Sequence, residues 1–164
     1  MPRVVEVVRR AVAPITHTKT FRRIAPAVLP RLERFFAVVT GGRVQVSGIL
    51  VPSLVLHTTG AKSGEPGDAV LMYTPDGHGR ALVAGSNFAG ENHPSWSANL
   101  LAHPDAEISV RGRRMAVRAT LLPDDERERA WDVIQRQWPL YRNYERASGR
   151  TVRIFRLQPV AYLD

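Results

Sequence analysis

Two patterns of apolar residues divide the chain into two regions. Near the N-terminus, apolar side chains recur every three or four positions between arginines, which predicts short amphipathic helices at 4–15 and 21–39. Prolines interrupt the second of these stripes, and a Gly-Gly pair ends it. The pattern therefore predicts a basic amphipathic helical extension over residues 1–43, followed by a separate folded domain over residues 44–164.

In the second region, short apolar runs are separated by turn residues, as in antiparallel strands. The predicted strands are 54–59, 69–73, 80–86, 107–111, 115–122 and 152–157. Pro75-Asp76-Gly77 and Arg111-Gly112-Arg113 are typical of tight connections between such strands. Most of these connections are too short to hold crossover helices, which argues against a parallel α/β fold.

Two helical segments interrupt the strands. His93-Pro94 begins a short helix that reaches Leu101. Pro123 and the three carboxylates after it begin a longer helix, because proline fits the first turn and acidic side chains favour the helix dipole. Six or more short strands with two helices predict an α+β protein, a small antiparallel β-barrel with helices packed outside.

Composition narrows the class of protein. The 164 residues are 44% hydrophobic and 23% charged, which is typical of one globular domain. No apolar run reaches the roughly 18 to 20 residues of a membrane-spanning helix, and the first residues do not follow the layout of a signal peptide. The absence of cysteine excludes disulfide scaffolds, zinc ribbons, iron–sulfur clusters and cysteine nucleophiles. We expect a cytoplasmic protein.

The formal charge of +8 is concentrated at one end of the chain. Residues 1–46 hold nine basic and two acidic side chains, whereas the other 118 residues hold 14 and 13. The extension is therefore predicted to approach an anionic membrane surface, which would make the protein peripheral at the inner face of the membrane. The alternative is that these helices pack on the barrel with their arginines in solvent. A nucleic-acid partner is not expected, because aromatic residues are not interleaved with the basic cluster.

The first candidate site is a turn after the first predicted strand. Residues 58–66 read Thr-Thr-Gly-Ala-Lys-Ser-Gly-Glu-Pro, a sequence rich in amide and hydroxyl donors around Lys62. The spacing of its glycines differs from that of a Walker loop. Lys62 is one of two lysines beside 21 arginines, and its compact charge suits an anion. The turn is either an anion cradle or an ordinary β-turn with a solvated lysine.

The second candidate site follows the strand at 80–86. Small and polar residues lead through a glycine-containing loop to a helix start at Ser95, where backbone N–H groups can bind anions or ring carbonyls. Trp96 and Asn99 lie on one face of that helix. Trp96 is either a flat wall beside this site or a core residue.

The third candidate site is a pair of tyrosines after the long helix. Tyr141 and Tyr144 are three residues apart and can supply phenols as proton donors or as a stacking surface, unless they serve only packing. No metal site is predicted, because the five histidines lack ligand spacing. A serine-hydrolase elbow is also absent from the sequence.

Taken in order, these segments resemble the deazaflavin (coenzyme F(420))-dependent nitroreductase and quinone reductase family. The resemblance covers about residues 40–160 and is carried by three motifs. They are Thr58-Thr59-Gly60-x-Lys62-Ser63-Gly64, then Gly85-Ser86 leading to His93-Pro94-x-Trp96-x-x-Asn99-Leu100, and finally Trp138-Pro139-x-Tyr141 with Tyr144. The resemblance implies the split β-barrel that is also found in FMN-binding oxidases.

The resemblance also implies an activity and a set of site residues. Reduced F(420) would transfer a hydride to a quinone, a nitroaromatic compound or an activated alkene. The implied coenzyme-binding residues are Lys62, Ser63, Gly64, Gly85, Ser86, Asn87, Ser95, Trp96, Asn99 and Tyr141. The implied catalytic residues, which line the substrate side or stabilise a developing oxyanion, are Ser86, Tyr73, Tyr141 and Tyr144. Phe88 and Trp96 would exclude water.

Three positions depart from the family's common pattern. Ala61 and Asn87 stand where basic residues are common, and Ser97 stands where a tyrosine is common. We expect weaker coenzyme binding as a result, with Arg113 or Arg114 as possible compensating cations. Two alternatives stay open: a non-catalytic carrier of deazaflavin or lipid, and an FMN-dependent oxidoreductase on the same barrel.

Overall fold

The computed structural model describes residues 52–87 and 90–163. The strands in this part of the chain are β1 (Ser53–Thr59), β2 (Pro66–Met72), β3 (Thr74–Pro75), β4 (Ala81–Ala84), β5 (Asp105–Val110), β6 (Arg113–Leu121) and β7 (Ile154–Tyr162). The helices are α1 (Ser95–Ala102), α2 (Asp124–Gln137) and α3 (Asn143–Ser148). The predicted helices at 4–15 and 21–39 and the side chain of Phe88 lie outside the described residues. No helix within them is long and apolar enough to cross a membrane.

The seven strands form one antiparallel sheet in the order β2-β1-β5-β6-β7-β4-β3. Its edge strands, β2 and β3, are consecutive in the chain, and only Tyr73 separates them. Since consecutive Cα atoms lie about 3.8 Å apart, the two edges meet at this residue. The sheet therefore curls into a half-barrel. This confirms the predicted α+β class and the antiparallel, barrel-like sheet.

Two apolar clusters fill the two faces of the curled sheet. The inner cluster receives side chains from five strands and from α1: Leu54, Leu56, Ala81, Val83, Trp96, Leu100, Ile108, Val117, Ala119, Phe155 and Leu157. The outer cluster holds Leu82, Leu122, Ala130, Trp131, Ile134, Tyr141, Tyr144, Val152 and Ile154. Helix α2 thus packs outside the sheet as predicted, and α3, which was not predicted, packs there too, whereas α1 packs against the inner face.

Strand ends differ from the sequence prediction where tertiary contacts decide them. The strand predicted at 69–73 stops at Met72. The next residue in register with Tyr73 is Pro52, whose carbonyl accepts from the Tyr73 N–H at 3.2 Å but which has no N–H to donate in return. The last strand continues to Tyr162, well beyond 157, because it follows β6 along its whole length. The tight turn predicted at 111–113 is confirmed: Arg111 and Gly112 have φ of 51° and 75°, both left-handed.

Candidate functional site

The turn between β1 and β2 is exposed and closed by its own backbone. The N–H of Gly60 donates to the carbonyl of Glu65 at 2.8 Å, and the N–H of Gly64 donates to the carbonyl of Gly60 at 2.9 Å. Gly64 has a left-handed φ of 70°. Within the described residues, the N–H groups of Lys62 and Ser63 and the Lys62 ammonium have no hydrogen-bond acceptor or ion-pair partner. These donors at an exposed turn match the predicted anion cradle.

Asn99 joins this turn to α1. Its Oδ1 accepts a hydrogen bond from the N–H of Ala61 at 2.9 Å, and its Nδ2 donates to Oγ1 of Thr58 at 2.9 Å. Thr58 is buried and belongs to the last part of β1. Both ends of the Asn99 amide are thus engaged by protein, so Asn99 brings the first and second motifs together.

The second motif is a loop from Gly85 to Pro94 that follows β4. The N–H of Gly85 donates to the carbonyl of Arg153 at 2.8 Å, and a Cβ at Gly85 would lie 3.4 Å from the ring of Pro94. Glycine therefore allows the loop to pass close to both neighbours. Asn87 has a left-handed φ of 46°, and its Nδ2 donates to the carbonyl of Asn92 at 2.8 Å. This turns the loop back towards α1.

Ser86 connects the second motif to the third. Its Oγ shares a 3.2 Å hydrogen bond with the hydroxyl of Tyr141, which also donates to the carbonyl of Ala84 at 3.4 Å. Tyr141 and Tyr144 are buried, with ring centroids 6.2 Å apart. Burial raises the pKa of each phenol to about 12, so both keep their protons at neutral pH.

The remaining predicted site residues lie in different surroundings. Ser95 is exposed at the first position of α1. Trp96 is buried, and its ring contacts Phe155 edge-on at 5.8 Å between centroids, as expected of a core residue. Tyr73 packs against the inner cluster, whereas Tyr141 and Tyr144 belong to the outer cluster. The structure therefore does not bring Tyr73 together with the other two tyrosines.

The compensating cations expected at 113–114 have other partners. Arg113 lies over the ring of Tyr162 at 5.9 Å, and Nε of Arg114 donates to Glu107 at 2.5 Å. Arg114 pairs with Ser109 on β5, and Ser109 pairs with Val55 in the first half of β1. The turn at 60–65 follows the other end of β1. Arg114 nevertheless lines a cavity with Thr58, Thr59 and Pro66 beside the turn, so a role for this arginine at the turn stays a prediction.

Arg150, which the sequence analysis did not identify, contacts the loop of the second motif. Its guanidinium donates to the carbonyls of Gly85, Ser86 and Gly90 at 3.1, 2.9 and 3.0 Å. It also lies 3.1 Å from Nδ1 of His93. Burial, Arg153 and Arg150 lower the pKa of His93, so the ring accepts this bond in its neutral form. No local motif reveals Arg150, because its partners lie far away in sequence.

A second group that the sequence did not reveal lies on the other face of β1. Nδ1 of His57 is 2.6 Å from Asp68 on β2, and Nε2 of His57 is 2.8 Å from Oγ of Ser109 on β5. The order of these groups is that of a hydrolytic triad, but the nearby backbone N–H groups belong to paired strands and cannot form an oxyanion hole. The group therefore stabilises three adjacent strands.

In the part of the chain that the structure describes, no three His, Cys, Asp or Glu side chains are grouped in a way that could hold a metal ion. The candidate site has three parts. Asn99 on α1 hydrogen-bonds the turn at 60–65, the second motif leads into α1, and Ser86 of that motif hydrogen-bonds Tyr141.

Comparison with known proteins shows which family the chain belongs to. The sequence model of F(420)H2-dependent quinone reductases matches residues 31–159. The chain belongs to this family. An F(420)H2-dependent quinone reductase of Mycobacterium tuberculosis is 36% identical over 104 residues, which are 62% of this chain and 69% of the relative. As a member of the F(420)H2-dependent quinone reductase family, the protein is an oxidoreductase, and its cofactor is coenzyme F(420).

Solved structures agree with this assignment. An F(420)H2-dependent reductase superposes with a TM-score of 0.59 at 28% identity, covering 65% of this chain and 94% of the other. A protein described as a domain-swapped dimer superposes with a TM-score of 0.59 at 25% identity, covering 85% of this chain and all of the other. The half-barrel is thus the split barrel that the sequence resemblance implied.

The residues present fit the coenzyme of this family. F(420) carries a phosphodiester and a polyglutamate tail, both anionic. The exposed turn at 60–65 presents two backbone N–H groups and the Lys62 ammonium without acceptors among the described residues. Such a donor set suits an anion.

Proposed function

We propose that this member of the family reduces quinones with F(420)H2, and that the coenzyme lies along the turn at 60–65 and the loop at 85–94. One observation supports this placement above the others: Asn99 hydrogen-bonds the turn from the helix that the loop leads into. The two predicted coenzyme segments are therefore one surface. A coenzyme with a ring at one end and an anionic tail at the other suits such an extended site.

At the tail end, Lys62, Ser63 and Gly64 would bind the phosphodiester and carboxylates. The left-handed φ of Gly64 allows the turn to close without strain, so the N–H groups of Lys62 and Ser63 stay available to a ligand. At the ring end, Asn87 and Ser95 would contribute backbone contacts, whereas Gly85, whose N–H and carbonyl both bond within the protein, would let the loop pass close to Pro94. Asn99 and Trp96 act on this surface through packing and positioning, since Trp96 is buried and both polar atoms of the Asn99 amide are occupied.

The reaction needs a hydride, which the reduced coenzyme supplies when bound. The acceptor gains negative charge on oxygen as it is reduced, and a nearby hydroxyl can stabilise that charge. Ser86 and Tyr141 form a hydroxyl pair beside the loop, and the raised pKa of Tyr141 keeps its proton in place. We assign the Ser86 hydroxyl the role of donor to the acceptor oxygen. For this, Tyr141 donates its proton to Oγ of Ser86 at 3.2 Å rather than to the carbonyl of Ala84 at 3.4 Å, which leaves the Ser86 proton for the acceptor. The ring of Tyr144 packs against that of Tyr141, whereas Tyr73, which packs against the inner cluster, has no role in this arrangement.

Titration with oxidised F(420) tests the binding part of this proposal. We expect quenching and a rise in fluorescence anisotropy at micromolar protein, and Lys62→Ala should weaken binding severalfold because it removes a charged contact. Arg111→Ala is a matched control, because it removes one exposed charge at the opposite end of β1. Absence of any signal at tens of micromolar would refute coenzyme binding.

Turnover tests the catalytic part. With F(420)H2 and menadione, we expect loss of the reduced coenzyme to depend on the protein. Tight binding without reduction of any quinone or nitro acceptor would indicate a carrier, and a protein isolated yellow with bound FMN would indicate the flavin alternative. Ser86→Ala should lower kcat more than it raises the KM for menadione, because the missing hydroxyl acts in the transition state.

The acceptor's solubility bears on the N-terminal region. Residues 1–43 carry most of the net positive charge and two amphipathic apolar patterns, which favours binding to an anionic membrane surface where lipid-soluble quinones reside. Sedimentation with vesicles containing phosphatidylglycerol should carry the full chain down but not a chain that starts at residue 44. Equal sedimentation of both chains would refute this placement.

A further inference from the structure

Arg150 contacts the main chain of the coenzyme loop at three points. Its Nη1, Nη2 and Nε donate to the carbonyls of Gly85, Ser86 and Gly90 at 3.1, 2.9 and 3.0 Å. A guanidinium carries five N–H donors in a fixed plane, so one side chain can satisfy several carbonyls that face the same direction. The ammonium group of a lysine, which has three donors at one point, cannot cover carbonyls spread along a loop.

These contacts fix which way the loop's peptides face. The carbonyls of Gly85 and Ser86 point towards Arg150, so the N–H groups of Ser86 and Asn87 cannot point there. Those two N–H groups donate to no acceptor within the described residues. Asn87, the residue after Ser86, has a left-handed φ of 46°, a conformation that occurs where successive N–H groups form anion-binding concavities.

The end of α3 holds Arg150 in place. Gly149 ends the helix with a left-handed φ of 66°, and the next residue is Arg150. The Ser148 hydroxyl donates to the carbonyl of Glu145 at 2.9 Å and accepts from the N–H of Arg150 at 3.4 Å. Both the main chain and the guanidinium of Arg150 are therefore constrained, which makes it a rigid support for the loop.

We propose that Arg150 is a positioning residue for F(420): it binds the carbonyl side of the loop at 85–90 and thereby presents the N–H groups of Ser86 and Asn87 to oxygen acceptors of the coenzyme. Arg150 makes no contact with the coenzyme in this arrangement. The inference rests on the proposed function, because it concerns the same coenzyme surface. The affinity of this surface for F(420) would then depend on Arg150, a residue that does not contact the coenzyme.

Arg150→Ala and Arg150→Lys test the proposal, with Arg146→Ala as the control. Arg146 is exposed on α3, so its replacement removes the same charge without removing the carbonyl contacts. We expect Arg150→Ala to weaken F(420) binding by about 10- to 100-fold, because three charge-assisted hydrogen bonds are lost. Arg150→Lys should restore little of that affinity. Arg146→Ala should change binding by about twofold or less.

Two further measurements separate positioning from general damage. Guanidinium chloride at about 50 mM, well below the concentrations that unfold most domains, should restore part of the affinity of Arg150→Ala, whereas sodium chloride at equal concentration should not. Amide hydrogen exchange at residues 85–87 should accelerate in ligand-free Arg150→Ala while exchange in β6 and β7 stays slow. If Arg150→Ala does not fold, Arg150→Lys is measured in its place.

The outcomes distinguish this inference from the proposed function. A folded Arg150→Ala that binds F(420) as tightly as the unchanged protein would overturn the inference and leave the proposed function standing. A weakened variant with slow exchange at 85–87 and no response to guanidinium would also overturn it. If the unchanged protein binds no F(420), the proposed function fails, and the exchange experiment still decides whether Arg150 orders the loop.

Discussion

Asn99→Ala removes both hydrogen bonds that tie α1 to the turn at 60–65. The bond to Thr58 Oγ1 lies in a buried environment, whereas the N–H of Ala61 is exposed and can turn to water. A net hydrogen bond contributes about 0.5 to 1.5 kcal/mol, with buried ones at the upper end. We therefore expect a loss of about 1 to 3 kcal/mol in the free energy of unfolding, together with weaker F(420) binding because the turn is no longer held against α1.

Asn99→Asp separates these two effects. An aspartate keeps an acceptor for the Ala61 N–H. The Thr58 hydroxyl can exchange its 3.3 Å bond to the carbonyl of Gly67 for one to the second carboxylate oxygen, so stability should fall less than in Asn99→Ala. The new negative charge lies beside the proposed anion cradle. At a separation of about 7 Å in water, each unit charge on the coenzyme would be opposed by about 0.6 kcal/mol, a roughly threefold loss of affinity that salt screens.

Urea denaturation and F(420) titration at low and high salt measure the two quantities. We expect Asn99→Ala to lose more free energy of unfolding than Asn99→Asp. We expect Asn99→Asp to lose affinity for F(420) that high salt partly restores. If Asn99→Ala unfolds at the same urea concentration as the unchanged protein, the two hydrogen bonds do not stabilise the fold. If Asn99→Asp binds F(420) equally well at low salt, the anionic tail does not lie at this turn.

Three further predictions concern stability. Burial raises the pKa of Tyr141 from 10.0 to about 12, so the unfolded chain releases this proton at a lower pH than the folded protein does. The urea concentration at the unfolding midpoint should therefore decrease as the pH rises from 10 to 12, and it should decrease less in Tyr141→Phe. Glu145→Gln weakens a half-buried acceptor that an arginine and a backbone N–H share, so it should lower the free energy of unfolding by about 1 to 3 kcal/mol. Glu128→Gln at the surface should lower it by less than about 1 kcal/mol, and equal losses would contradict this reasoning. Gly60→Ala would press a Cβ against Oγ of Ser63, which should lower the free energy of unfolding by about 1 kcal/mol. This loss should be smaller when Ser63 is also replaced by alanine, and additive effects of the two substitutions would contradict the contact.

The sequence predicted the features that local pattern controls. Alternation of apolar and polar side chains located β1, β5 and β6 to within two residues at either end. Pro123 and the acidic residues after it located the start of α2. The sequence did not predict α3, because six residues are too few to show a helical apolar stripe.

The candidate site was predicted less completely, because its organisation depends on contacts between distant residues. The motifs that form the turn and the loop are local and were visible. The roles of Asn99 and Arg150 were not, since their partners lie 38 to 41 and 57 to 65 positions away. Tyr73 was grouped with Tyr141 by residue type, but Tyr73 packs against the inner cluster and Tyr141 belongs to the outer cluster.

The position of β7 has a consequence for how the protein is made. This strand is the last of the described elements along the chain, yet it lies within the sheet between β6 and β4, and its alternating side chains enter both apolar clusters. A ribosome delivers β7 after all the other described strands, so neither cluster can close before this strand has emerged. A nascent chain that still lacks β7 would expose the apolar interior of the half-barrel to chaperones and proteases.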